Sequence, residues 1–314
     1  MGQRRVIRGL VGALLIAGCA AGCGGPTPAA PSATPSAAPP ATPSATVPSA
    51  TVPSTGPGLP APAGQLTLDV GGVSRTYLLH FPAGDTGGRS LPLVIALHFY
   101  PGTGSALREM IGMDAKADRH NFLVAYPDGL KGGFNALICC GSYEDVAFLR
   151  ALTKHLVSAG RADPDRVYLT GISNGGDMSF RAAVEASGLF AAIGVVSGGY
   201  IGPLTKAKGY VQSRPVSVVT VLGSDDSYFT DFKAGIATWQ QRLRCTPATA
   251  APPAPTVTRT RARCADGSDV EVYVVKGMGH VWPGARSGQL AAPDAPLVAT
   301  DVVWDFFAAH PRRR

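Results

Sequence analysis

The stretch that most constrains this 314-residue chain is Val167-Tyr168-Leu169-Thr170-Gly171-Ile172-Ser173-Asn174-Gly175-Gly176-Asp177-Met178. Its first half is an apolar run of the kind a strand buried within a sheet requires. Gly171-Ile172-Ser173-Asn174-Gly175 then forms a Gly-x-Ser-x-Gly turn, and a helical pattern follows. In that strand–turn–helix context the serine stands on a sharp turn at the top of a sheet. Glycines two residues to either side let neighbouring backbone pass where a Cβ would clash. The Ser173 hydroxyl is thereby presented outward, with the Asn174 amide and the positive helix N-terminus beside it. Gly and Ser are common in this chain, so the motif gains its meaning from the flanking strand and helix. Ser173 is the candidate nucleophile.

The N-terminus is an address. Arg4, Arg5 and Arg8 precede the apolar run Leu10 to Ala17, which is too short to span a bilayer comfortably and has the form of a secretory signal. Ile16-Ala17-Gly18-Cys19 resembles a bacterial lipobox, with Cys19 as the lipidated residue and Cys23 as a poorer second candidate. The signal region is thus read as 1–23. From 24 to 64 the chain is almost wholly Pro, Ala, Ser, Thr and Gly, without charge, and cannot bury enough apolar surface to offset ordering entropy. It is read as a disordered, extended spacer. Residues 65–311 are ample for one domain with a real core, and 312–314 are a basic tail. The formal charge of +7 belongs largely to these ends. Without Arg4, Arg5, Arg8 and the three terminal arginines, the 28 basic residues fall to 22 against 21 acidic ones. The domain is nearly neutral, shows no basic stripe, and is not expected to bind nucleic acid. Contact with a membrane is expected only through the lipid anchor.

Within the domain, 65–70 and 73–80 read as a hairpin about Gly71-Gly72. Pro92 to His98 is a strand buried on both faces, followed by helical pattern to about Arg119 and a strand at 122–126. A helix at 145–159 precedes the Ser173 strand, and a helix to about Ser187 follows it. Strands at 191–196 and 216–222, a helix at 235–244, a hairpin of 257–262 with 269–275, and a helix at 298–310 complete the chain. Strands alternating with helices predict an α/β fold with a mostly parallel sheet covered on both faces. With the serine turn this is the α/β-hydrolase fold, whose chain order is Ser, then Asp or Glu, then His. Gly223-Ser224-Asp225-Asp226 follows a late strand, and Gly277-Met278-Gly279-His280 follows the next one. His280 is the candidate base, and Asp225 or Asp226 the acid that orients it.

The blocks Gly171-Ile172-Ser173-Asn174-Gly175-Gly176, Cys139-Cys140 before Asp145-Val146-Ala147-Phe148, and Gly277 to Gly284 (Gly-Met-Gly-His-Val-Trp-Pro-Gly) occur together. In them the chain resembles the secreted polyhydroxybutyrate depolymerase and feruloyl esterase-like family of carbohydrate esterases, which includes actinobacterial lipoproteins. The resemblance runs from about Leu91 to Trp304. It implies a serine esterase with Ser173, Asp226 and His280 as the triad. Where the family reads His-Gly-x this chain reads His98-Phe99-Tyr100, so Tyr100 inherits the second oxyanion amide beside Asn174. Phe134 stands where the family often has Trp. Phe134 and Trp282 are taken as substrate-contacting aromatics, and Asp225 stays open as a rival to Asp226.

The expected reaction is ester hydrolysis through an acyl-enzyme, needing no cofactor and no metal. Expected substrates are feruloyl or acetyl esters of polysaccharide, or hydroxyalkanoate esters such as polyesters. Acyl transfer or peptide hydrolysis on the same scaffold, or a silent envelope-binding protein, are the rival readings, and the oligomeric state stays open. The four domain cysteines allow three pairings. Cys245 with Cys264 closes a loop of about twenty residues that has little core of its own, leaving Cys139 with Cys140. The alternative pairs each of the two adjacent cysteines across to Cys245 or Cys264.

Overall fold

The computed structural model describes residues 64–85 and 88–312, all within the compact unit Ser54–Arg314. The signal region, Cys19, Cys23 and nearly all of the spacer lie outside the described residues. Twelve strands and six helices follow in chain order. They are β1 (Gln65–Val70), β2 (Val73–His80), β3 (Leu91–Leu97), α1 (Gly104–Ile111), α2 (Met113–His120), β4 (Leu123–Pro127), α3 (Asp145–Ser158), β5 (Ala162–Ile172) and α4 (Asn174–Glu185). Then come β6 (Ala192–Val196), β7 (Ser217–Gly223), α5 (Phe229–Arg242), β8 (Thr246–Ala248), β9 (Val257–Arg263), β10 (Asp269–Val275), β11 (Trp282–Pro283), β12 (Ala291–Ala292) and α6 (Ala299–Ala309).

Ten strands form one sheet in the order β1-β2-β4-β3-β5-β6-β7-β10-β9-β8. The six central strands, β4 to β10, are parallel, and the antiparallel pairs β1-β2 and β9-β8 finish its two sides. The period-two pattern of each buried strand divides its side chains between two cores. On β3, Leu93, Ile95 and Leu97 join the core with Phe148, Leu152 and Phe180, while Val94 and Ala96 face Leu107, Phe122 and Phe307. One face is thus covered by α3, α4 and α5, the other by α1, α2 and α6. This is the α/β-hydrolase fold.

Three local outcomes differ from the sequence reading. The helical pattern after β3 is broken into α1 and α2 at Gly112, which takes the left-handed conformation (φ 64°) that suits glycine. Helix α5 begins at Phe229, six residues before the expected Gly235, because Phe232 packs into the core. Thr246–Ala248, read as loop, adds β8 to the edge of β9. Cys245 is joined to Cys264 and Cys139 to Cys140, the pairing preferred from the sequence. Among the described residues no helix is long and apolar enough to cross a membrane.

Candidate active site

Strand β5 delivers the chain into the serine turn. Ser173 has φ 55° and ψ −123°, a region few non-glycine residues occupy. Its backbone N–H donates to the carbonyls of Val196 and Ser197 at the end of β6, both at 3.1 Å. Its carbonyl accepts the Asp177 N–H at 2.9 Å, closing the first turn of α4. A Cβ built on Gly175 would lie 2.2 Å from the Leu97 carbonyl oxygen, so glycine there is a condition of packing α4 against the end of β3. Asn174 fastens this turn to the segment after β4. Its Oδ1 accepts the Phe134 N–H at 2.8 Å, and its Nδ2 donates to the carbonyls of Phe134 and Cys139, each at 3.0 Å. The same segment is held from behind by Asp145, which accepts from the Asn135 N–H at 2.6 Å and pairs with Arg75 at 2.5 Å. The backbone amide of Asn174 is therefore fixed at the helix N-terminus.

The loops that follow β7 and β10 are stitched together. The Asp225 N–H donates to Met278 O at 2.8 Å, and the Gly277 N–H to the Ser224 hydroxyl at 2.8 Å. Gly223 lies so close that a Cβ there would meet Met278 O at 2.1 Å. This brings His280 Nδ1 to 2.8 Å from Asp226 Oδ2. The other oxygen, Asp226 Oδ1, accepts the Tyr228 N–H at 2.9 Å. Burial alone would raise the Asp226 carboxyl, but these hydrogen bonds and the facing imidazole hold it below the ordinary aspartate value. Asp225 is exposed and accepts from its neighbour Ser224 at 2.8 Å. The Ser197 hydroxyl donates to Val281 O at 3.1 Å, so the turn after β6 touches both the Ser173 backbone and the His280 loop. Ser173, Asp226 and His280 thus stand on three loops at the carboxyl end of one sheet.

Residues 75–213 match the family model described as esterase PHB depolymerase. Over these residues the chain is similar to this esterase family. NocK of Nocardia uniformis subsp. tsuyamanensis, a candidate esterase, is 28% identical over 278 residues, covering 76% of this chain and 80% of that protein. Feruloyl esterase B of Piromyces equi is 31% identical over 168 residues, which is 49% of this chain and 29% of that protein. Among solved structures, an acetyl xylan esterase from Aspergillus awamori superposes with a TM-score of 0.56 at 17% identity, covering 69% of this chain and 94% of that one. At that identity the likeness concerns the fold. The family match ends at residue 213, before Asp226 and His280, so their place in the esterase rests on the geometry above.

The two aromatics expected to touch substrate are both buried. Phe134 and Trp282 have no exposed surface. Phe134 packs on His98 with ring centroids 4.6 Å apart, and both its backbone polar groups are taken by Asn174. Trp282 donates its indole N–H to the buried Thr300 hydroxyl at 3.0 Å. Both support the site from behind. Tyr100, by contrast, is half exposed. Phe99, standing where the family has glycine, is buried in the core over α1. The buried His98 beneath this loop has its imidazole pushed down by burial, holds Phe99 O through Nδ1 at 2.7 Å, and accepts the Gly129 N–H at 2.9 Å. Among the described residues no group of three or more His, Cys, Asp or Glu side chains could hold a metal ion.

Sequence reading missed Asp177, one helical turn beyond Ser173. An acidic residue in a first helical turn is ordinarily a solvated partner of the helix dipole, so nothing in the sequence sets it apart. In the esterase it is 5% exposed, and its Oδ1 accepts the Gly199 N–H at 2.8 Å. Burial pushes its carboxyl up to about 7, opposed by the Gly199 hydrogen bond and by His280. The folded esterase therefore keeps a proton here that the unfolded chain releases near the ordinary value of 3.8. Stability from this group is lost as pH rises from about 4 to about 7, and is flat beyond. Asp177→Asn keeps the Gly199 acceptor and removes the ionisation. Its stability relative to the parent is expected to grow by about 3 kcal/mol between pH 5 and pH 8. Urea unfolding of both proteins at the two pH values measures this; an advantage that does not grow with pH refutes it.

Proposed function

We propose that this esterase is an exported serine hydrolase that cleaves carboxylic esters through an acyl-enzyme. Ser173 Oγ attacks the ester carbonyl while His280 Nε2 takes its proton. Asp226, on Nδ1, holds the imidazole in the required tautomer and stabilises its charged form. The amides of Asn174 and Tyr100 receive the oxyanion. Collapse of the tetrahedral intermediate expels the alcohol with the proton from His280, and a water activated by the same imidazole then releases the acid. The observation that carries this reading is the 2.8 Å His280–Asp226 pair, on a loop stitched to the turn that holds the Ser173 backbone.

Substrates in keeping with the relatives' names are feruloyl or acetyl esters of plant polysaccharide and hydroxyalkanoate esters. Export is supported by the signal-like N-terminus and by two disulfides, which persist in oxidising compartments. Lipidation at Cys19 would place the domain outside the membrane on a spacer of 24–64. The test is to treat the purified protein with a fluorophosphonate probe and to assay feruloyl, acetyl and hydroxybutyryl esters. Labelling confined to Ser173 together with turnover of one ester class is the expected result. An unlabelled protein inert on all three would refute the reading.

A further inference from the structure

Tyr228 was not singled out by its sequence, yet it stands at the working edge of the site. Its ring centroid lies 6.0 Å from that of His280, edge to face at 62°. Buried Phe232 backs both rings, at 5.8 Å from Tyr228 and 6.4 Å from His280. The Tyr228 backbone is tied to Asp226 by the 2.9 Å hydrogen bond already described, so the ring's position is linked to that of the acid–base pair. Despite these anchors Tyr228 is 51% exposed, among the most exposed of the large apolar side chains.

Its side of the site is set by the chemistry. Nδ1 of His280 is occupied by Asp226, leaving Nε2 to pass the proton. The departing alcohol oxygen must come within hydrogen-bond reach of Nε2 to receive that proton. The carbonyl oxygen instead turns towards the amides of Asn174 and Tyr100. There the second half-exposed tyrosine, Tyr100, packs on Gly133, where a Cβ would meet Tyr100 Cδ2 at 2.6 Å and Cys140 Cβ at 3.3 Å. Tyr228 therefore lies on the His280 side of the site, where the alcohol takes up its proton, while Tyr100 stands on the loop expected to supply the second oxyanion amide.

Resting on the proposed acyl-enzyme reading, we propose that Tyr228 selects the alcohol part of the substrate by stacking its ring on the sugar to which the acyl group is attached. A rigid aromatic face, open to solvent and held beside the proton donor, suits the flat, C–H-lined face of a pyranose or furanose ring. It offers little to a one-carbon alcohol, which cannot cover it.

The test compares esters that share an acyl group and differ in the alcohol. Feruloylated arabinoxylan oligosaccharide is set against methyl ferulate, and acetylated xylo-oligosaccharide against ethyl acetate, in the parent, Tyr228→Ala and Tyr228→Phe. The ratio of kcat/KM for the sugar ester over the simple ester is expected to fall about tenfold in Tyr228→Ala, chiefly through KM. Tyr228→Phe, which keeps the ring, is expected to hold the ratio within about threefold of the parent. A general disturbance of Asp226 or His280 lowers both esters together and leaves the ratio unchanged, and that outcome overturns the proposal. So does a parent that cleaves the simple ester of each pair as readily as the sugar ester. A parent that takes neither a fluorophosphonate label nor any of the four esters would instead refute the acyl-enzyme reading.

Discussion

Ser173→Ala is expected to remove ester hydrolysis almost completely, on the order of a millionfold in kcat, while the fold survives. The size follows from the role proposed for the hydroxyl: without it no acyl-enzyme forms, and His280 and the oxyanion amides have nothing to activate. The residual rate reflects binding and oxyanion stabilisation of a direct water attack. The melting temperature should change little. The backbone hydrogen bonds that hold this turn, to Val196, Ser197 and Asp177, belong to the main chain and are kept by alanine. Kinetics on an activated ester, with thermal unfolding of the same sample, measure both halves. A variant retaining most of its rate would remove Ser173 from the nucleophile's role.

Asp226→Asn is expected to lower kcat by about ten-thousandfold, and Asp225→Asn by less than about threefold. The two are adjacent and chemically identical, so the contrast comes from position. Asp226 is 5% exposed and accepts from His280 Nδ1 and the Tyr228 N–H through its two oxygens. An amide there can present its NH2 to Nδ1, forcing the ring proton onto Nε2, where it cannot accept from serine. Asp225 is turned outward onto the Ser224 hydroxyl. Asp226 also contributes to the pH dependence of stability. The folded Asp226 carboxyl lies below its ordinary value, so its contribution is present at neutral pH and is lost as pH falls through the acid range. Equal losses from both substitutions, or a larger one from Asp225→Asn, would transfer the orienting role.

Much of the fold is legible along the chain because its signals are local. Pro92 to Leu97 and Val167 to Ile172 are apolar runs that only a strand with both faces covered can bury, and the structure places β3 and β5 side by side at the sheet's centre. The Gly-x-Ser-x-Gly turn is local in its pattern: Gly171 answers a close approach of Gly175 within the turn, although Gly175 itself makes room for the Leu97 carbonyl at the end of β3. The helix boundaries were less legible. The early start of α5 depends on Phe232 finding Gly199 and His280, contacts between loops more than thirty residues apart in sequence.

By itself the sequence determined the class of the fold, the order Ser–Asp–His and the loops that carry them, because periodicity and turn chemistry are properties of short segments. Three matters were decided only by tertiary structure. Asp226 rather than Asp225 pairs with His280, since the approach of Gly223 to the Met278 carbonyl turns one carboxylate inward and leaves its neighbour in water. Phe134 and Trp282 are withdrawn into the support of the site, while Tyr100 and Tyr228 remain at its surface. The Asp177 carboxyl is pushed up to about 7 because α4 packs against the turn after β6 and shuts out solvent. Each of these depends on burial, and burial is set by which distant segments meet.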